Sequence, residues 1–176
     1  MPVTPPLDFN AWLSTNGHLL KPPVNNFVLQ QGDFLVQVVG GPNKRTDYHV
    51  NMTEEWFYQV KGNLLLKIVD TTDGGNNEHK DLWINEGSMF LLPPNVPHSP
   101  NRFENTIGIV IERKRREGEI DILRWYCAKE ECREIVYEEK FFCTDLGKDL
   151  APIIQRYAND DKLRTCAKCG TVNPTR

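Results

Sequence analysis

Two stretches of the chain carry residues that can do metal chemistry. The first runs Arg45-Thr-Asp-Tyr-His49-Val-Asn-Met-Thr-Glu-Glu55 and closes at Gly62. The second begins at Gly87, crosses Ser-Met-Phe-Leu-Leu and reaches Pro93-Pro-Asn-Val-Pro-His98-Ser-Pro-Asn-Arg102. Together they offer two imidazoles and a carboxylate. Two neutral His and one ionised Asp or Glu can occupy one face of a ferrous ion and leave the other face open for substrate and oxygen. His49, Glu55 and His98 are therefore the expected ligands of iron(II). With four His in the chain such a trio arises cheaply by chance, and spacing is what lifts it. In a strand, His49 and Glu55 stand an even number of residues apart and would point to the same face. A second segment must then bring His98, so the two stretches are expected to face each other across one barrel.

A second set of ligands lies near the C-terminus. Cys166-Ala-Lys-Cys169-Gly is half of a tetrahedral thiolate site, because two residues between the Cys let a tight turn present both sulfurs to one ion. The other half would be Cys127 and Cys132, whose longer spacing is still within that of known metal sites. Five Cys without a secretory signal fit metal ligands or free thiols better than a disulfide framework. The expectation is a structural iron or zinc on Cys127, Cys132, Cys166 and Cys169, with free thiols as the alternative and Cys143 left over in a strand. Four thiolates leave no open coordination position, so such a site holds the tail together and does not catalyse.

The elements that must position these groups follow from periodicity. Phe9, Trp12 and Leu13 stand at helical spacing, with Asp8 as cap and Gly17 as stop. His18 follows as a polar residue at the helix end, and Pro22-Pro23 interrupts regular structure. From Asn26 onward short β-rich runs alternate with turn signals: Phe27–Gln30, Phe34–Val39, Trp56–Val60, Leu64–Val69, Leu82–Ile84, Met89–Leu92 and Ile107–Arg113. Between them Asp70 to Lys80, with Gly74-Gly-Asn-Asn77, reads as a surface hairpin loop in which His79 is exposed and idle. So many short strands imply a closed or nearly closed barrel. After Glu117 come Trp125-Tyr-Cys127, a β-like Glu134 to Cys143, a helix around Leu150 to Tyr157 and the final Cys pair. The expected division is an N-terminal helix and arm over 1–25, a barrel over 26–117 and a Cys-containing extension over 118–176, too small for a core of its own and part of one domain.

At 176 residues and 20.3 kDa the chain is long enough to bury a sizeable core. No apolar run approaches the roughly 20 residues of a membrane-spanning helix, and the N-terminus lacks signal-peptide regions, so a cytoplasmic protein is expected. A net charge of −3 and a pI near 5.8 argue against nucleic acid as a partner. The one basic run, Arg113-Lys-Arg-Arg116, is flanked by Glu112 and Glu117 and reads as a solvated strand end.

The two metal-bearing stretches resemble the paired motifs of the cupin superfamily: Gly41, His49, Asn51, Glu55 and Gly62 in the first, Gly87, Pro93, Asn95, His98 and Arg102 in the second. Asn51 stands where the usual motif has a second His, which leaves three ligands and frees a coordination position. The chain is more specifically similar to the 3-hydroxyanthranilate 3,4-dioxygenase family, through Leu19-Leu-Lys-Pro-Pro-Val24, Val38-Val-Gly-Gly-Pro-Asn43, Arg45 to His49, Glu54-Glu55, Phe90-Leu-Leu-Pro-Pro94, His98-Ser-Pro100 with Arg102, and Val110-Ile-Glu-Arg113. The resemblance implies a mainly β fold, a cupin-type jelly-roll barrel with an N-terminal helix and a small Cys-containing C-terminal extension. It implies iron(II) on His49, Glu55 and His98, and an extradiol-type ring opening of 3-hydroxyanthranilate by dioxygen on the route through quinolinate to NAD. Arg45, Arg102 and Glu112 would line the substrate pocket together with Glu55, and Arg45 and Glu112 would assist the chemistry. It also implies a homodimer, and bacterial-type relatives carry a rubredoxin-like four-Cys iron site.

The residue types suit those roles. An Arg fork donates two parallel hydrogen bonds to a carboxylate, and Arg102, four residues after His98, is assigned to the substrate carboxylate, with Arg45 helping there or at the oxygen. Glu112 ends the apolar run Ile109-Val-Ile111, where an unpaired buried carboxylate would be expensive. It either pairs with Arg113 or another cation, or accepts a hydrogen bond from the substrate amine and moves its proton. Two rival readings stand beside this one: a metal-binding cupin that is an isomerase or small-molecule binder without dioxygenase activity, and an interaction module working through the Cys tail.

Overall fold

The computed structural model describes residues 3–22, 25–71 and 77–175. Pro23 and residues 72–76 of the expected hairpin loop lie outside them. The chain opens with α1 (Phe9–Asn16), capped by Asp8, whose Oδ1 accepts from the Ala11 N–H at 3.0 Å, and stopped at Gly17. A 3-10 turn (Gly17–Leu20) follows, with His18 exposed. No α1 residue is buried; the helix lies on the outside of the fold, with Trp12 5.1 Å from Phe27 between ring centroids.

Eleven strands follow among the described residues: β1 (Asn26–Gln31), β2 (Phe34–Gly40), β3 (Tyr48–Val50), β4 (Glu55–Lys61), β5 (Leu64–Asp70), β6 (Glu78–Ile84), β7 (Met89–Leu92), β8 (His98–Arg102), β9 (Ile107–Arg113), β10 (Asp121–Tyr126) and β11 (Ile135–Phe141). They form two antiparallel sheets, ordered β1-β2-β9-β4-β7 and β11-β10-β3-β8-β5-β6. Period-two alternation decides what faces inward. Along β4, Glu55, Phe57 and Gln59 are buried while Trp56 and Tyr58 face outward, and along β9 Gly108, Val110 and Glu112 alternate in the same way. Phe57, Leu64, Leu66, Ile68, Ile84, Leu92, Val96 and Val110 make the apolar core between the sheets.

The expected mainly β class holds, and β9 with Glu112 lies where periodicity put it, but the two strands that carry His49 and His98 were not among those read from periodicity. β3 has three residues and β8 reads His-Ser-Pro-Asn-Arg, with a proline that cannot donate to a ladder. Both are strands because β5 pairs with β8 along its full length and β10 pairs with β3. β6 starts at Glu78, so His79 belongs to a strand, half-buried with its ring edge-on to Tyr126 at 4.8 Å, and not to an exposed loop.

The segment after Glu117 adds β10 and β11 to the larger sheet, then α2 (Leu146–Asn159) and α3 (Asp161–Arg164). Leu150, Ile153 and Tyr157 on one face of α2 pack on Leu123 and Trp125 of β10, with Tyr157 stacked on Trp125 at 4.1 Å. Among the described residues no helix is long and apolar enough to cross a membrane.

Candidate active site

His49, in the middle of β3, sits directly opposite His98, the first residue of β8, in one sheet. Glu55 opens β4 in the other sheet. The even spacing of His49 and Glu55 is thus not that of one strand: the chain turns between them and changes sheets, so the carboxylate meets the two rings across the barrel interior. Glu55 Oε1 lies 3.3 Å from His98 Nε2 and 3.7 Å from His49 Nδ1. The three ligand atoms all fall within 4.8 Å of one another, and all three residues are buried.

The remaining ring nitrogens are held from behind. His98 Nδ1 is 3.0 Å from the Val96 carbonyl, to which it can only donate, and this leaves Nε2 facing Glu55. His49 Nε2 is 2.8 Å from Asp121 Oδ2, which leaves Nδ1 facing Glu55. Metal-ligating imidazoles are usually fixed in this way, by a carboxylate or a backbone carbonyl on the far nitrogen, so the donor set fits a divalent ion. Burial lowers the proton affinity of His49, but hydrogen bonds to Asp121 and Glu55 outweigh it and bring its pKa to about 9. Burial likewise works against the Glu55 carboxylate, yet the charge of His98 and the hydrogen bonds of both His hold it well below the usual carboxylate range. A cluster with this much mutual attraction before metal arrives has protons to release when metal binds.

Asp121 and Arg115 were not among the expected site residues. Arg115 was read as part of a solvated basic run, yet its side chain is 3% exposed, hydrogen-bonded to Asp121 Oδ2 at 2.8 Å and to Glu112 Oε2. Asp121 is fully buried. A continuous chain of charge-assisted bonds therefore runs Glu112, Arg115, Asp121, His49. Glu112 also accepts from Gln37 Nε2 at 2.8 Å, and it pairs in register with Glu55 across β4 and β9. Burial and the nearby Glu55 charge raise its pKa, against the pull of Arg115. The one signal that could have found Asp121 is an isolated acid opening an apolar run. Nothing in the basic run separated Arg115 from its exposed neighbours.

The two expected substrate arginines differ sharply. Arg45 is paired with Asp47; burial works against its charge, but Asp47 and, to a smaller extent, Glu55 raise its pKa. Arg102 is 3% exposed, and among the described residues no carboxylate lies within ion-pair distance of it. Its side chain donates from Nη1 to Gln59 Oε1 at 2.8 Å, and burial pushes its pKa down to about 10. Asn51, in the place of the second motif His, donates to Glu55 Oε1 at 3.1 Å and leaves its own Oδ1 buried without a partner.

An open cavity of about 510 Å³ meets the site only at its Glu112 and Arg115 end; Asn26, Val28, Leu35, Gln37, Phe142 and Cys143 also line it, whereas His49, Glu55, His98, Arg45 and Arg102 do not. The volume suits a small aromatic ligand. Cys143, expected in a strand, follows the end of β11 and is buried at this wall.

The four expected thiolates also converge. Cys127 and Cys169 sulfurs are 3.5 Å apart, Cys132 and Cys166 sulfurs 3.7 Å, and all four lie within 4.8 Å of one another. Sulfurs bound about 2.3 Å from one tetrahedral ion are separated by about 3.8 Å, so the cluster is already at binding size. The backbone N–H groups of Lys129, Glu134 and Thr171 point at Cys127, Cys132 and Cys169, two residues after each. Gly170, at φ 74°, gives the second pair its turn, with its N–H on the Cys166 carbonyl at 2.8 Å. Burial pushes the Cys127 thiol up to about 12, whereas the Thr171 hydroxyl and N–H bring Cys169 down to about 6.

A 3-hydroxyanthranilate 3,4-dioxygenase of Podospora anserina is 54% identical over 170 residues, covering 97% of this chain and 90% of its own. That of Lodderomyces elongisporus is 51% identical over 176 residues, covering 100% and 97%. Among solved structures, a cupin-2 domain containing protein from Shewanella frigidimarina is 20% identical with a TM-score of 0.46, over 62% of this chain and 94% of that one. The profile of the 3-hydroxyanthranilic acid dioxygenase family matches residues 1–158, and the chain belongs to that family.

Proposed function

We propose that the protein is an iron(II)-dependent dioxygenase that opens the ring of 3-hydroxyanthranilate with both atoms of dioxygen, giving 2-amino-3-carboxymuconate semialdehyde on the route to NAD. The observation that carries the reading is the buried His49, Glu55 and His98 cluster with both rings fixed from behind. Iron(II) held there would bring the substrate hydroxyl and dioxygen together and pass electron density between them. The chain's own residues do the rest. The Arg102 guanidinium receives the substrate carboxylate, with Arg45 beside it, and their fixed charges orient the ring. Glu112, held by Gln37 and Arg115, accepts a hydrogen bond from the substrate amine, and its raised pKa favours taking up that proton. The apolar core around Phe57 and Val110 keeps water from the reacting groups.

The same reading assigns a structural iron or zinc to Cys127, Cys132, Cys166 and Cys169, places residues 118–176 within one domain and puts the protein in the cytoplasm without nucleic acid or membrane as partner. It makes the protein a homodimer. The outer face of the smaller sheet carries two apolar rows in register, Val36, Ile111, Trp56 and Leu91, then Ile109, Tyr58 and Met89 beside Val38, which the chain itself already covers. Leu91 and Met89 are 53% and 65% exposed, and a second copy would cover them.

The test is oxygen uptake with 3-hydroxyanthranilate after anaerobic reconstitution with iron(II), with His49→Ala as control. Uptake equal to substrate consumed, and lost in the variant, is the expected result. No uptake at full iron occupancy would sink the assignment.

A further inference from the structure

The other arginines near the site are neutralised: buried Arg115 by Glu112 and Asp121, half-buried Arg45 by Asp47. Arg102 is the exception, and a buried charge without a counter-charge is expensive unless something else requires it. What it has instead is Gln59. The Gln59 side chain is 1% exposed, and its Nε2 donates to the Gly62 carbonyl at 3.0 Å and toward the Lys61 carbonyl at 3.4 Å. These carbonyls can only accept, so they fix which end of the amide faces Arg102: it is the oxygen. One neutral acceptor thus holds one N–H of a five-donor fork and leaves the charge uncompensated.

The neighbouring strand is cut to fit. Gly108, opposite Gln59 on β9, interrupts an apolar run in which a side chain would otherwise point inward. A Cβ there would stand 2.3 Å from Gln59 Oε1 and 2.5 Å from Arg102 Nη1. The glycine opens the space in which the amide and the guanidinium meet.

We infer that Gln59 is a positioning and specificity-determining residue: it orients Arg102 while leaving its charge free for a planar carboxylate on the ligand, and Gly108 makes room for the pair. This rests on the assignment of Arg102 to the substrate carboxylate. A Glu at the same position would supply the missing counter-charge, stabilising the fold and closing the site to anions in one change. A residue with a merely structural role would not separate those two effects.

The experiment measures anaerobic binding to the iron(II) protein of 3-hydroxyanthranilate and of 2-aminophenol, the same ring without its carboxylate, in wild type, Gln59→Glu, Gln59→Leu and Arg102→Ala. Gln59→Glu is expected to keep its iron and a melting temperature equal to or above wild type, and to weaken 3-hydroxyanthranilate at least about tenfold with 2-aminophenol changed less than about twofold. Gln59→Leu, which frees the fork without neutralising it, is expected to lose less carboxylate affinity than Gln59→Glu and to melt lower. Unchanged carboxylate preference in Gln59→Glu, or a lower melting temperature for it, overturns the inference while leaving Arg102 intact as the anion receiver. Arg102→Ala with undiminished preference overturns the Arg102 assignment and the inference with it.

Discussion

At the scale of single residues, what distinguishes this site is the company each charge keeps. His49 turns its Nδ1 toward Glu55 because Asp121 has taken its far nitrogen, and Asp121 can stay ionised in the interior because Arg115 donates to it. Asp121→Asn should therefore weaken iron(II) binding at the triad by about 10- to 100-fold, measured by competition with a coloured chelator, while the four-Cys site keeps its metal. Equal affinity in the variant would show that the His49 ring is held by packing alone. That His49, Glu55 and His98 would come together was legible in the sequence because their types are rare and their motifs are ordered. The groups behind them were not: Arg115 lies among basic residues with the same local pattern, and only the fold reveals that it turns inward while Arg113 pairs with Glu119 near the surface.

At the scale of elements, the strands rich in branched and aromatic residues were readable, whereas β3 and β8 are strands by partnership. Their sequences are spent on site residues, and such a short strand has few side chains left for propensity to act on. The same applies to the turn between His49 and Glu55: spacing suggested one strand, and a change of sheet produced the site. The start of α2 was also misjudged. The sequence pattern suggested a beginning near Leu150, but Asp149 Oδ2 accepts from the Thr144 and Asp145 N–H groups at 2.7 and 2.8 Å, and the helix begins at Leu146. Those hydrogen bonds hold the Asp149 carboxyl below its ordinary value of 3.8. A depressed folded-state pKa contributes stability above the unfolded value and loses it as pH falls through the folded one. Asp149→Ala should thus lower the urea midpoint at pH 7, and the gap to wild type should shrink below about pH 4. A gap independent of pH would mean that the carboxylate charge plays no part.

At the scale of the whole molecule, the C-terminal extension is built into the barrel. β10 carries Asp121 at its start and runs directly into Cys127 at its end, and the wall of the cavity at Phe142 and Cys143 follows β11. Loosening the Cys cluster should be felt along both strands. Cys166→Ser is expected to lower the melting temperature by at least about 4 °C and to speed proteolysis within residues 146–176, with part of the triad iron retained. A variant as stable and as resistant as wild type would show that the thiolates hold nothing.

The position of β10 has a further consequence for how the protein is made. It separates β3 from β11, so until residues 121–126 leave the ribosome β3 lacks one of its two neighbours. At about 5–20 residues per second, His49, Glu55 and His98 are all synthesised before the strand that steadies them, and Cys166 and Cys169 come last. The nascent chain therefore carries His49, Glu55 and His98 for seconds before the strand that holds His49 from behind is available, and the site is completed late in synthesis.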